Sequence, residues 1–187
     1  MTKTVLRFSL LLTALAVLLI DGITAQTVSK ETAKLKVRIV GLFAKDRVAD
    51  LQVVLDKWQI KMVELDFNQA EGLLEFDAAK VLAGVKPQEY TARLDEMFRN
   101  ASQGTFGLKP PSSTPKNQLK RVEIPVLGLD CKACCLAAYE IVARLDGVEQ
   151  ATASFKEGRI SALIDPKRIQ ITQIEAALKE RGVTLNK

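Results

Sequence analysis

The sequence contains no histidine in its 187 residues. This absence excludes Ser-His-Asp and Cys-His catalysis, histidine-based zinc enzymes, the two-histidine iron site and haem held by a proximal histidine, because each needs an imidazole. Cysteine is also scarce, since the chain has only three. They all fall within five consecutive positions, as Cys131, Cys134 and Cys135. This clustering is the most informative feature of the composition.

Neither sign of charge dominates the chain. It has 27 Lys and Arg against 22 Asp and Glu, which gives a net charge of +5 at pH 7. A nucleic-acid partner is not expected, because such proteins usually show a basic stripe with interleaved aromatic residues. Hydrophobic residues make up 48% of the chain, which is enough to form packed cores and argues against a disordered protein.

The first 25 residues have the layout of a secretory signal peptide. Lys3 and Arg7 precede an apolar run at 8–20, and small residues lead up to Ala25, after which we predict cleavage. The protein is therefore expected to be exported, as a periplasmic or secreted protein. The apolar run is shorter than the about 20 residues that a permanent membrane helix needs. A membrane association is expected only if the signal segment stays uncleaved.

The remaining chain is predicted to form two domains joined by a linker. Residues 109–118 are rich in Pro and Ser, which favours a semi-rigid linker over a helix or a central strand. Residues 30–108 and residues 119–187 lie on either side of it. Both segments have mixed charge and enough apolar residues for a compact domain.

The second domain shows the pattern of a β-α-β-β-α-β unit. A strand is predicted at 121–127, followed by a helix, a hairpin at Glu157-Gly158, a second helix and a short last strand at 183–185. This order is the ferredoxin-like arrangement of the α+β class, in which two helices cover one face of a four-stranded sheet. Apolar residues recur at helical spacing in the first helix, and we expect them on its core-facing side: Cys134, Ala138, Ile141, Val142 and Leu145.

The first domain repeats this order. Its segment 40–47, Val-Gly-Leu-Phe-Ala-Lys-Asp-Arg, aligns with segment 127–134, Leu-Gly-Leu-Asp-Cys-Lys-Ala-Cys. Ala44 and Arg47 then occupy the positions of Cys131 and Cys134. The sequence therefore predicts an internal duplication, with two tandem ferredoxin-like domains of which only the second carries thiols.

Cys131 and Cys134 form a Cys-x-x-Cys pair on a loop that leads into a helix. The helix dipole and the free N–H groups of the first turn favour the thiolate form. Two thiolates prefer a soft ion such as Cu(I) or Zn(II), whereas a closed zinc site built from nitrogen and sulfur donors would need four ligands, more than this chain has. An open soft-metal site is favoured. A structural disulfide, a thiol-disulfide redox protein using the same dithiol, and a structural or adaptor module stay as alternatives.

Cys135 is adjacent to this pair but lies about 100° further round the helix than Cys134. We expect its side chain to be a small buried hydrophobe. A third metal ligand is the alternative role for this residue.

The loop Gly128-Leu129-Asp130-Cys131-Lys132-Ala133-Cys134 resembles the Gly-Met-x-Cys-x-x-Cys motif of the heavy-metal-associated domain family, with Leu129 in place of the usual methionine. This family includes copper chaperones, the N-terminal domains of metal-exporting ATPases and the periplasmic mercuric-ion-binding protein. Gly147-Val148 and Gly182 also match landmarks of the family.

The resemblance implies that Cys131 and Cys134 bind one soft metal ion on an exposed loop. Cu(I) is the first candidate, and Hg(II) or Zn(II) are the alternatives. It also implies a non-enzymatic protein that passes the ion to a metal-transporting membrane ATPase or another thiol-bearing acceptor. The first domain is then a degenerate copy of the same family, without cysteines.

Overall fold

The computed structural model describes residues 32–186 of the chain. The predicted signal peptide, residues 1–25, lies outside the described residues. Twelve helices and strands of regular structure follow one another in these elements: β1 Thr32–Val40, α1 Arg47–Lys57, β2 Lys61–Asp66, β3 Glu71–Asp77, α2 Ala78–Val81, α3 Tyr90–Ala101, β4 Gly107–Lys109, β5 Lys120–Pro125, α4 Lys132–Ala143, β6 Val148–Ser154, β7 Arg159–Ile164 and α5 Ile171–Glu180. Two short 3₁₀ turns lie at Pro87–Glu89 and Lys116–Gln118.

The strands form two antiparallel sheets. The first sheet has the order β2-β3-β1-β4, and the second has the order β5-β7-β6. Each sheet has its own helices, so the expected α+β class with a ferredoxin-like order of elements is confirmed. We call residues 32–109 the first unit and residues 120–186 the second unit. Within residues 32–186, no helix is both long and apolar enough to cross a membrane.

The predicted last strand at 183–185 is wrong. The structure has a single bridge there, between Val126 and Leu185. Leu127 donates its N–H to the carbonyl of Thr184 at 2.8 Å, and pairing stops immediately beyond it. The reason is Gly128, whose φ of 78° takes the chain out of the extended conformation that a ladder requires.

The core-facing side of α4 is also shifted from the predicted one. Its buried residues recur at helical spacing, and they are Cys135, Ala138, Tyr139 and Val142. Cys134, which the prediction placed on this side, is only half-buried. The helix is apolar on two adjacent sides, so the sequence pattern alone could not fix which of them meets the sheet.

Each unit packs its helices on one face of its sheet. In the first unit, Leu74 of β3 and Leu94 and Phe98 of α3 have no exposed surface. In the second unit, β7 alternates buried and half-buried residues, and Ile174 and Leu178 of α5 are fully buried in the core of that unit. This alternation and this four-residue spacing are what a half-covered strand and an amphipathic helix require.

The predicted linker contacts both units. Thr114 donates its hydroxyl to the Asp165 carboxylate at 2.9 Å, and the Lys116 ammonium lies 3.1 Å from the Glu71 carboxylate. These contacts tie the segment at 109–118 to a side chain of each unit.

Candidate metal centre

The dithiol lies on the loop between β5 and α4. Gly128 begins this loop in the left-handed region, and a Cβ at this position would meet no atom within 4 Å. Leu129, at the usual methionine position of the motif, is only 5% exposed and packs in the core of the second unit. The buried Leu129 anchors the loop to this core, whereas Asp130, Cys131 and Lys132 after it are exposed.

Cys131 is the N-cap residue of α4. Its backbone is extended, and its Sγ accepts a hydrogen bond from the backbone N–H of Cys134 at 3.1 Å. An N–H group aimed at sulfur, together with the positive end of the helix dipole, stabilises negative charge on that sulfur. The geometry therefore favours the thiolate at Cys131 once the cysteine is reduced.

Cys131 and Cys134 are joined as a disulfide, with their Cα atoms 5.2 Å apart. The structure thus brings together the two residues predicted to form the site, and it shows their oxidised form. In this form neither sulfur can act as a thiolate ligand. Reduction is required before the pair could hold an ion.

Cys135 does not join the pair. Its side chain is 2% exposed and lies among the core residues of the second unit. Burial raises the pKa of the Cys135 thiol, which opposes the thiolate form that metals bind. Within residues 32–186, no group of three or more Cys, Asp or Glu side chains is arranged to hold a metal ion.

Asp46 of the first unit contacts the dithiol loop, a relationship that the sequence analysis missed. The Lys132 ammonium lies 2.8 Å from the Asp46 carboxylate. This hydrogen bond raises the pKa of Lys132 and lowers the pKa of Asp46. Both side chains are largely exposed, so the pair adds little to stability, but it places a carboxylate of the first unit beside the lysine that separates the two thiols.

An open groove of about 410 Å³ lies on one side of the loop. It runs between α4 and the turn that follows α5, and Cys134 is one of its lining residues, most of which are apolar. Its lining residues include Leu129, Ala137, Ile141, Arg181 and Val183. Val183 follows Gly182, so the structure brings the segment after α5 close to the dithiol loop.

The equivalent positions of the first unit offer no donor atoms for a soft metal. Ala44 is half-buried, and the Arg47 guanidinium lies over the rings of Phe43 and Phe106, at 5.3 and 4.8 Å from their centroids. The only dithiol of the chain is therefore that of the second unit.

Two curated proteins share sequence with this chain. It is 29% identical over 76 residues to Copper-transporting ATPase 2 of Homo sapiens, a match that covers 38% of this chain and 5% of that protein. It is 32% identical over 72 residues to the Zinc-transporting ATPase of Synechocystis sp., covering 38% of this chain and 10% of that protein. The resemblance to the heavy-metal-associated domain family is confirmed. The heavy-metal-associated match spans a tenth or less of the length of these two relatives.

The chain matches no family model. The solved structure of the N-terminal soluble domains of Bacillus subtilis CopA covers 84% of this chain and 94% of its own length, with 14% identity and a TM-score of 0.34.

Proposed function

We propose that the chain is an exported soft-metal-ion-binding protein that holds one ion between the thiolates of Cys131 and Cys134. The observation that carries this proposal is the position of the two sulfurs at the exposed N-terminus of α4, where a backbone N–H is aimed at the Cys131 sulfur. Cu(I) is the first candidate ion, because a site with two thiolates and no third donor suits a soft ion of low coordination number. Hg(II) and Zn(II) are the alternatives.

The role is to bind the ion and pass it on, as a chaperone or a scavenger. An incoming thiolate of an acceptor adds to the ion before Cys131 or Cys134 leaves, so no step needs a bare ion. The exposed loop allows this approach. The two relatives are named as metal-transporting ATPases, which supports an ATPase or another thiol-bearing protein as the acceptor. No catalysis is expected, and export rests on the predicted signal peptide alone.

The oxidised pair must first be reduced. Converting the disulfide into two thiols takes two electrons and two protons from an external dithiol, which itself becomes a disulfide. Metal binding then releases the thiol protons. The proposal therefore requires that metal binding depend on prior reduction.

A competitive titration tests the proposal. The reduced chain is titrated with Cu(I), Hg(II) or Zn(II) in the presence of a chelator of known affinity. We expect one Cu(I) per chain to be retained, and retention to be lost in a Cys131→Ser, Cys134→Ser variant. Cys135→Ala is the matched control, because it removes a neighbouring thiol from the core while leaving the pair intact. Equal retention by the chain and by the double variant would contradict the proposal.

The Cys131–Cys134 disulfide favours a second candidate function, a thiol-disulfide redox protein. This function predicts that the metal-free chain exchanges electrons with a disulfide substrate at a rate that depends on both cysteines. If metal removal abolishes all such exchange, or if the double variant exchanges equally fast, the redox function is wrong.

A further inference from the structure

The two aligned loops share a backbone design but differ in what surrounds them. Gly41 and Gly128 both have positive φ, and the leucine after each is buried. Gly128 is exposed and a Cβ there would be in open space, whereas Gly41 is buried and a Cβ there would overlap the carbonyl oxygen of Thr105. The loop of the first unit is thus packed against protein at the position where the dithiol loop is open.

Much of what covers the first loop belongs to the second unit. The N–H of Gly41 donates to the Tyr139 hydroxyl of α4 at 2.7 Å, in a buried position. The carbonyl of Phe43 accepts from the N–H of Ala153 in β6 at 3.0 Å. The Phe43 side chain is 4% exposed, and it belongs to the core cluster of the second unit rather than to that of its own unit.

Charged groups join the units beside these contacts. Arg38 of β1 forms an ion pair with Glu149 of β6, and the two side chains are only 15% and 6% exposed. Arg38 also donates to the backbone carbonyl of Glu149 at 3.1 Å. Separating the two charges of an ion pair buried this deeply costs free energy, because each charge would be left without its partner. The pair therefore favours one fixed arrangement of the two units.

These contacts cover a strand edge. β6 lies at the edge of the second sheet, and an uncovered edge presents N–H and C=O groups that can pair with another chain. Phe43 accepts the N–H of Ala153, and Arg38 bonds the carbonyl of Glu149. The first unit therefore satisfies backbone groups of the edge strand.

We propose that the loop at 41–47, equivalent to the dithiol loop, is a docking surface for the second unit of the same chain and has lost metal binding in exchange. Phe43 fills the position of the exposed Asp130, and Ala44 and Arg47 fill the positions of the two thiols. A loop packed in this way cannot open around an ion. The docking accounts for the absence of cysteines from the first unit, whose structural partner is the second unit.

Amide hydrogen exchange tests the docking directly. In the full chain, the amides of Gly41 and Ala153 are expected to exchange at least about a hundredfold more slowly than in an unstructured peptide, because both are bonded across the two units. Tyr139→Phe keeps the ring and removes the hydroxyl, and is expected to accelerate exchange at Gly41 by about five- to hundredfold, as expected for an unpaired buried donor. Tyr90→Phe, within the first unit, is the control and should leave Gly41 unchanged. Unprotected Gly41 and Ala153 amides in the full chain would overturn the proposal.

Restored thiols test the loss of metal binding. Ala44→Cys and Arg47→Cys are introduced together with Cys131→Ser and Cys134→Ser, and the full chain is titrated with Cu(I) against the same chelator. We expect no Cu(I) to be retained. Retention with an affinity within tenfold of the natural loop would overturn the proposal. Failure of the natural chain to bind Cu(I) while Gly41 and Ala153 stay protected would contradict the proposed function and leave the docking established.

Discussion

Lys132, between the two thiols of the second unit, bonds to Asp46 of the first unit at 2.8 Å. The residue that follows the first cysteine of the motif is therefore bonded to the aligned loop of the first unit, which carries no cysteine. Because the bond stabilises the ionised carboxylate, it holds the pKa of Asp46 below its ordinary value of 3.8. The contribution of this pair to stability is present above the unfolded pKa and is lost as the pH falls through the folded pKa.

An NMR titration of the Asp46 carboxyl checks this ion pair. In the natural chain the carboxyl should titrate below 3.8, and in Lys132→Met its midpoint should rise towards that value. Lys45→Met, a change of the exposed lysine beside Asp46, is the control and should have the smaller effect. An unchanged midpoint in Lys132→Met would show that the two side chains are not paired in solution.

Ionisation of the buried Tyr139 hydroxyl is expected to lower the stability of the fold at high pH. Burial raises the pKa of its hydroxyl from 10.0 to about 12, so the unfolded chain ionises first as the pH rises. The free energy of unfolding should therefore fall by roughly 3 kcal/mol as the pH rises from the unfolded to the folded pKa, since one pKa unit corresponds to about 1.4 kcal/mol. Urea unfolding at several pH values measures this fall. Tyr139→Phe should lack this part of the fall, and equal pH dependence in the two proteins would contradict the buried position of the hydroxyl.

The two loop glycines form a matched pair for stability measurements. Gly41→Ala and Gly128→Ala both place a side chain at positive φ, which costs about 1–2 kcal/mol. Only the first also forces a Cβ against Thr105 and Phe106. We expect Gly41→Ala to be the more destabilising by about 1–3 kcal/mol in urea unfolding. Equal losses would mean that the first loop is as open as the second.

Cysteine labelling separates the buried thiol from the pair. In the reduced native chain, iodoacetamide should modify Cys131 and Cys134 and leave Cys135 unmodified, because Cys135 is buried and its pKa is raised. In urea all three should react. Mass spectrometry counts the labels, and rapid addition of three labels to the folded chain would contradict the core position of Cys135.

The sequence could predict the elements and the dithiol because both depend on local patterns. The aligned glycines Gly41 and Gly128 do share a left-handed conformation, and Leu42 and Leu129 after them are both buried. The side of α4 that meets the sheet was not predictable in the same way, since Cys134 and Cys135 begin two equally apolar sides. The prediction of a last strand at 183–185 was wrong because its partner strand ends at Gly128, where the backbone turns out of the extended conformation.

The contact between the units could not be predicted from sequence. Gly41 and Tyr139 are 98 positions apart, and a backbone N–H gives no sign in the sequence of the hydroxyl that will accept it. Phe43 was indistinguishable from a core residue of its own unit. Asp46 and Lys132 are ordinary exposed charges until the fold places them together.

The central claim is that Cys131 and Cys134 together hold one soft ion. X-ray absorption at the copper edge tests it most directly. The sample is the chain loaded with one Cu(I) and separated from added thiol reagents. We predict two sulfur neighbours of copper in the natural chain and in Cys135→Ala, and fewer in Cys131→Ser. Copper bound only by oxygen or nitrogen, or a sulfur neighbour lost in Cys135→Ala, would contradict it.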